Sequence, residues 1–160
     1  MQGHTDVPLN DEGRRQARAL AEELDGEEVD AVYSSDLGRA RETAEIIAAT
    51  RGGDVISFPA LREKNFGTWE GLTDVEVRER FPDSLTTGWG DGETTDEMAR
   101  RILAAVEEIA ARHAGGLVVV VTHGGPMRAL LRHCDGEPDA VDNCGVVRLE
   151  TRDGALRKVD

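Results

Sequence analysis

The chain has 160 residues, of which 39% are hydrophobic and 32% charged, a composition typical of one globular domain with a hydrated surface. Its net charge of −13 argues against nucleic acid and anionic membranes as partners, because phosphate groups bind basic surfaces. Two cysteines are too few for a disulfide framework, and no apolar stretch approaches the ~20 residues of a membrane span. We therefore expect a single cytoplasmic domain over residues 1–160, with a homodimer left open.

The first part of the chain predicts a loop followed by helices and strands in alternation. Asn10 is a candidate N-cap, and Ala17, Leu20, Ala21 and Leu24 form an apolar stripe at helical spacing. The predicted elements are a loop over 1–9, a helix over 11–25, a strand over 31–33, a helix over 37–51 and a strand over 55–58.

The second part begins with a packed loop and contains the longest predicted helix. Thr94-x-x-Glu97 fits a capping box at the start of that helix. Asp153-Gly154 is a hairpin turn signal between two final strands. The predicted elements are a loop over 61–71, a short helix over 75–81, a turn-rich stretch over 82–92, a helix over 95–114, a strand over 118–121, a helix over 126–133 and strands over 145–150 and 156–159. This alternation predicts an α/β fold with a mostly parallel sheet.

The strand over Val118–Val121 is the most informative stretch. Four consecutive valines predict a strand buried on both faces. Thr122-His123-Gly124-Gly125 follows it, and Pro126 is expected at the first helical position. A strand that passes through glycines into a helix directs backbone N–H groups and the positive end of the helix dipole at one point, which suits an anion.

Three side chains near strand ends are candidates for chemistry, namely Arg39, Glu63 and His123. Ligands of open α/β sheets bind beyond the carboxyl ends of the strands, so Arg39 and His123 are expected at one rim. Arginine suits a phosphoryl group, while histidine and glutamate supply stabilisation and proton transfer. The alternative for each is an ordinary solvated arginine, an exposed glutamate or a loop histidine. The histidines and cysteines lack zinc spacing and no nucleotide-binding motif occurs, so we expect no metal and no cofactor.

Short motifs of mostly small, polar and charged residues occur over nearly the whole chain: Gln2-Gly3, Asp6-Val7-Pro8-Leu9, Gly13-x-x-Gln16-Ala17, Ser34-Ser35-Asp36-Leu37-x-Arg39-Ala40 with Thr43-Ala44, Leu61-x-Glu63, Phe66-Gly67-x-Trp69-Glu70-Gly71, Gly92-Glu93 and Val121-Thr122-His123-Gly124-Gly125. With these motifs, in this order, the chain resembles the histidine phosphatase superfamily in its phosphoglycerate-mutase-like branch. The resemblance implies a three-layer α/β sandwich and a small phosphorylated substrate.

The resemblance also implies roles for individual residues. Arg39 resembles the second phosphate-clamping arginine, Glu63 the general acid to the leaving oxygen, and His123 the histidine that stabilises the transferring phosphoryl group. Gln2, Gly3 and Gly124 resemble contacts of the substrate loop. The family's histidine nucleophile belongs to an Arg-His-Gly motif at the end of the first strand, and no such motif occurs here. His4 reads as a solvent-facing loop side chain rather than a replacement nucleophile.

The missing motif implies a missing strand. In the family, the first strand lies inside the sheet, between the strand that ends at His123 and the one around Val147. Unpaired backbone groups cost about 1–3 kcal/mol each, so the 160-residue chain should fold poorly unless its neighbours close the gap or another chain fills it. The domain is therefore expected to be an N-terminally truncated histidine-phosphatase-like domain.

Two hypotheses follow from the missing motif. In the first, Met1 is an internal methionine, and the complete product is a phosphomonoester hydrolase that works through a phosphohistidine. In the second, the chain is a catalytically inactive phosphate-binding or scaffold protein. A phosphoglycerate mutase is a further alternative, which the motifs do not separate from a phosphatase. In each case we expect the 160-residue chain itself to be inactive or nearly so.

Overall fold

The computed structural model describes residues 1–83, 91–135 and 141–159 of the chain. Most of the predicted turn-rich stretch over 82–92 lies outside these residues. The elements are α1 (Asp11–Glu23), β1 (Ala31–Ser34), α2 (Gly38–Ala49), β2 (Val55–Ser57), α3 (Asp74–Arg80), α4 (Thr95–Arg112), β3 (Val118–Val121), α5 (Gly124–Asp135), β4 (Arg148–Arg152) and β5 (Ala155–Val159). Two short 3₁₀ turns, Pro59–Leu61 and Gly67–Trp69, lie in the loop between β2 and α3.

The predicted starts of α1 and α4 are confirmed by their capping contacts. The Asn10 side chain accepts a hydrogen bond from the Gly13 N–H at 2.8 Å, which satisfies a donor that the first turn of α1 leaves free. Thr94 and Glu97 form a reciprocal capping box at the start of α4. α5 begins at Gly124 rather than at Pro126. Pro126 therefore lies inside the first turn of α5, where proline is tolerated because the N–H groups of that turn have no intrahelical partner.

The main sheet is parallel, in the order β2-β1-β3, as the alternation of elements predicted. The valines of β3 lie two on each face of the strand, because successive side chains point to opposite faces. Val119 and Val121 pack with β1 and α2, while the other two pack against the core formed by α4 and α5. Helices on both faces of the sheet make the three-layer sandwich that the resemblance implied.

One edge of β3 is open. β4 and β5 form a separate antiparallel hairpin, and among the described strands β3 pairs only with β1. A cleft of about 1590 Å³ is lined by residues 118–122 on one side and by 146–151 of the hairpin segment on the other. The expectation that the valines of β3 are buried on both faces is wrong: they are only half-buried, since the open edge of the strand faces the cleft.

The hairpin turns at the predicted residues. Asp153 and Gly154 both have positive φ, 54° and 76°, as a tight primed turn requires. β4 begins at Arg148, three residues later than the sequence pattern predicted. None of the helices that the structure describes is both long and apolar enough to cross a bilayer.

Candidate active site

The carboxyl ends of β1 and β3 lie side by side. Ser34 of β1 is in register with Val121 of β3, and the Ser35 N–H donates to the Val121 carbonyl at 3.2 Å. The chain therefore leaves both strands at the same rim, where Asp36 and Thr122 follow. This register brings the first turn of α2 and the loop before α5 to one place.

His123 is buried at this rim, with 8% of its surface exposed. Its Nε2 lies 2.7 Å from the hydroxyl of Ser35, which is also buried. Burial, and after it the positive charges of Arg39, His4 and Arg101, lower the pKa of His123 to about 3. The imidazole is therefore neutral at physiological pH.

Arg39 lies in the first turn of α2 and is half-buried. Its Nη2 donates to the Gly3 carbonyl at 2.8 Å and its Nη1 to the Thr5 carbonyl at 2.9 Å, which ties the N-terminal loop to α2. Burial lowers the pKa of this guanidinium, and the carboxylates of Glu63, Asp6 and Glu70 oppose the shift. Arginine remains charged under any such shift at neutral pH.

Glu63 reaches the start of α5. Its Oε2 accepts the Gly125 N–H at 3.2 Å, and its Oε1 accepts the Lys64 N–H at 2.8 Å. A Cβ atom at Gly125 would lie 2.2 Å from Oε1, so only glycine leaves room for this carboxylate. The two glycines after His123 thus have different neighbours: Gly125 faces Glu63, and Gly124 faces the guanidinium of Arg128.

Arg101 of α4 holds the loop that carries Glu63. It donates to three carbonyl oxygens of that loop, at 2.7 Å to Ala60, 3.0 Å to Arg62 and 3.3 Å to Glu63. The same guanidinium donates to both carboxylate oxygens of Glu93, at 2.8 and 2.7 Å. Burial raises the pKa of Glu93, but the bonds from Arg101 outweigh it and hold that pKa below its usual value.

His4 is half-buried and faces the same loop, so its interpretation as a solvent-facing side chain is wrong. Its ring Nε2 lies 2.9 Å from the Glu63 carbonyl, and its backbone N–H donates to Glu70 Oε1 at 2.8 Å. Glu70 Oε2 also accepts from the Thr5 hydroxyl at 3.1 Å. The N-terminal loop is therefore held from both sides, by Arg39 and by Glu70.

The residues singled out from the sequence lie at one rim. Arg39, His123, Gly124 and the exposed Gln2 line the same cleft, and Glu63 adjoins them through Gly125. Gly3 is buried with a left-handed φ of 54°, and a Cβ there would lie 2.3 Å from Glu70 Oε1. Within residues 1–83, 91–135 and 141–159, no group of three or more metal-binding side chains occurs.

Sequence reasoning missed the residues that hold the three candidates in position. Ser35, Glu70 and Glu93 belong to the matching motifs, but the motifs did not indicate which side chains these residues contact. Arg101 had no signal at all, because helical periodicity does not reveal which polar residue of a long helix turns inward.

The model of the histidine phosphatase superfamily (branch 1) matches residues 1–160. The chain belongs to this superfamily. The membership confirms the resemblance drawn from the motifs. Two curated relatives from Arabidopsis thaliana are each 42% identical over 141 residues, which cover 81% of this chain. They are phosphoglycerate mutase-like protein 4 and metal-independent phosphoserine phosphatase, and the match covers 61% and 59% of their lengths.

Solved structures of proteins with similar sequences share the fold. Bacillus stearothermophilus YhfR superposes with a TM-score of 0.91 at 32% identity, covering 99% of this chain and 86% of that one. Mycobacterial glucosyl-3-phosphoglycerate phosphatase superposes with a TM-score of 0.85 at 29% identity, covering 99% of this chain and 88% of that one. The phosphoglycerate-mutase-like architecture expected from the sequence is therefore confirmed.

Proposed function

We propose that this histidine phosphatase chain is the phosphate-binding part of a phosphomonoester hydrolase that acts on small phosphorylated metabolites. The observation that carries the proposal is the meeting of one guanidinium, one carboxylate and one neutral imidazole at the rim above β1 and β3. A tetrahedral anion needs donors, and its leaving oxygen needs a proton. This set of side chains supplies both.

Arg39 is proposed to bind the phosphoryl oxygens. A guanidinium has five N–H donors, and within the part of the chain that the structure describes Arg39 uses two of them, on the carbonyls of Gly3 and Thr5. Three donors remain for a ligand, enough for a bidentate contact with a phosphoryl group. The bonds to the loop fix the plane of the guanidinium before any ligand arrives, which lowers the entropy lost on binding.

Glu63 and His123 are proposed to act on the two ends of the reacting bond. Glu63 donates a proton to the leaving oxygen as the bond between phosphorus and that oxygen breaks. His123 stabilises the charge on the transferring phosphoryl group with a neutral N–H. The Gly124 N–H at the start of α5 adds a backbone donor, and Gln2 and Gly3 are proposed to contact the rest of the substrate.

The covalent step requires a nucleophile. In this superfamily it is the histidine of an Arg-His-Gly motif, which the 160-residue sequence lacks. In the proposed reaction a nitrogen–phosphorus bond forms to that histidine as the ester bond breaks. Water then displaces the histidine and releases phosphate. The open cleft beside β3 is a place from which such a residue would reach the rim.

The test compares p-nitrophenyl phosphate hydrolysis by the 160-residue chain and by the chain extended through the reading frame upstream of Met1. We expect hydrolysis by the extended chain only, and binding of inorganic phosphate by both. Turnover by the 160-residue chain would refute the need for the missing histidine. An upstream stop codon with no Arg-His-Gly would rule out the complete hydrolase.

The second candidate is an inactive phosphate-binding protein, in which Arg39 and His123 bind an anion without turnover. It differs in predicting phosphate binding without hydrolysis in every version of the chain. A mutase is favoured by the name of one relative, phosphoglycerate mutase-like protein 4. Conversion of 3-phosphoglycerate to 2-phosphoglycerate by the extended chain would distinguish it from a phosphatase.

A further inference from the structure

The contact between Ser35 and His123 determines which nitrogen of the imidazole carries the proton. Both residues are buried, Ser35 completely, and Ser35 Oγ lies 2.7 Å from His123 Nε2. Two arrangements fit this distance. Either the hydroxyl donates to a bare Nε2, or a protonated Nε2 donates to the hydroxyl oxygen.

The surroundings of the hydroxyl decide between them. Among the residues that the structure describes, His123 Nε2 is the sole hydrogen-bond partner of Ser35 Oγ. If Nε2–H were the donor, the hydroxyl proton would remain buried without an acceptor, which is unfavourable. When the hydroxyl donates, both groups are satisfied.

A neutral imidazole has one N–H, so an unprotonated Nε2 places that proton on Nδ1. We propose that Ser35 is a positioning residue that fixes His123 as the Nδ1–H tautomer and so directs an N–H donor at the bound phosphoryl group. The low pKa of His123 is consistent with a ring that stays neutral in this arrangement. The catalytic consequence rests on the proposed function, whereas the tautomer does not.

The tautomer matters because the two nitrogens have opposite effects on an anion. An N–H stabilises a phosphoryl oxygen, while a bare ring nitrogen presents a lone pair that repels it. Without the serine hydroxyl, nothing in this contact distinguishes the two neutral forms. A fraction of the molecules would then have the repulsive form.

The experiment is ¹⁵N NMR of the imidazole nitrogens at pH 7, recorded on the 160-residue chain and on the extended chain. We expect a protonated Nδ1 and a bare Nε2 in the unsubstituted protein. In Ser35→Ala the Nδ1–H form should lose its dominance, and Ser35→Thr should restore it. Ser34→Ala is the matched control, because Ser34 is an equally buried serine whose hydroxyl bonds to a carbonyl instead.

A protonated Nε2 in the unsubstituted protein would overturn the proposal, whatever the variants do. An unchanged Nδ1–H form in folded Ser35→Ala would overturn it as well. In the extended chain we expect Ser35→Ala to lower kcat by roughly 10²-fold and Ser35→Thr to recover most of that loss. If the extended chain gave the expected spectrum but hydrolysed no substrate, the proposed function would be contradicted and the tautomer assignment would stand.

Discussion

The Glu63 carboxylate accepts the N–H of Gly125 at 3.2 Å, although 62 residues of sequence separate them. This bond joins the loop after β2 to the first turn of α5, two residues after His123. It sets the distance between the carboxylate and the imidazole. The contact depends on the missing side chain of Gly125, since a Cβ would meet Glu63 Oε1 at 2.2 Å.

Gly125→Ala should therefore displace Glu63 from the site. We expect hydrolysis by the extended chain to fall by roughly 10²-fold or more, the usual contribution of a general acid, with a smaller change in stability. Gly53→Ala is the control, because nothing lies within 4 Å of a Cβ there and φ is not positive. Equal activity of the Gly125 variant and the control would contradict the assigned contact.

Glu63→Gln keeps the shape of the side chain but removes its proton donor. In the extended chain, kcat should fall most for alkyl phosphates, whose leaving groups need protonation, and least for p-nitrophenyl phosphate. The measurement is a plot of log kcat against the pKa of the leaving alcohol for both proteins. Parallel lines for the two proteins would contradict the assignment of Glu63 as the general acid.

Arg101→Gln should release the loop that carries Glu63. The variant leaves Glu93 partly buried without its partner and frees three carbonyls, so we expect a loss of about 2–4 kcal/mol in the free energy of unfolding. Urea denaturation measures the loss. Arg100→Gln is the neighbouring control, because Arg100 is exposed, and it should change stability by less than about 0.5 kcal/mol. Similar losses in the free energy of unfolding for both variants would contradict the role of Arg101 in holding this loop.

Arg39→Gln should weaken the binding of inorganic phosphate by roughly 10- to 100-fold, the value of one charged hydrogen-bonding group. Isothermal titration at low ionic strength measures the affinity. Arg41→Gln is the control of equal charge change, since Arg41 lies exposed on the same helix and pairs with Glu45. If both variants bind phosphate equally, the anion site lies elsewhere.

His123 should make the stability of the fold depend on pH. Its pKa falls from a usual value of 6.5 to about 3 in the folded chain, so between these values only the unfolded state binds the proton. Stability is therefore fully present above pH 6.5 and is lost as the pH falls towards 3, by up to about 1.4 kcal/mol per pH unit. The gap in stability between the unsubstituted chain and His123→Gln should narrow by about 2 kcal/mol from pH 7 to pH 5. Parallel stability curves would show that His123 titrates normally.

Local signals in the sequence were sufficient for most of the fold. Asn10 and the pair Thr94 and Glu97 marked helix starts because capping depends on residues within one turn of each other. The valine run marked β3 because a parallel strand covered on both faces has no polar positions. The half-burial of those valines was not predictable, since it depends on what lies across the open edge.

The sequence by itself determined the superfamily, the parallel α/β architecture and the three side chains proposed for catalysis, because each is carried by a short motif whose chemistry is local. Only the tertiary structure decided what holds those side chains. Ser35 against His123, Arg101 beneath Glu63 and Glu70 beside His4 are contacts between residues far apart in the chain. The packing of helices on the sheet creates such contacts, and no spacing along the sequence records them.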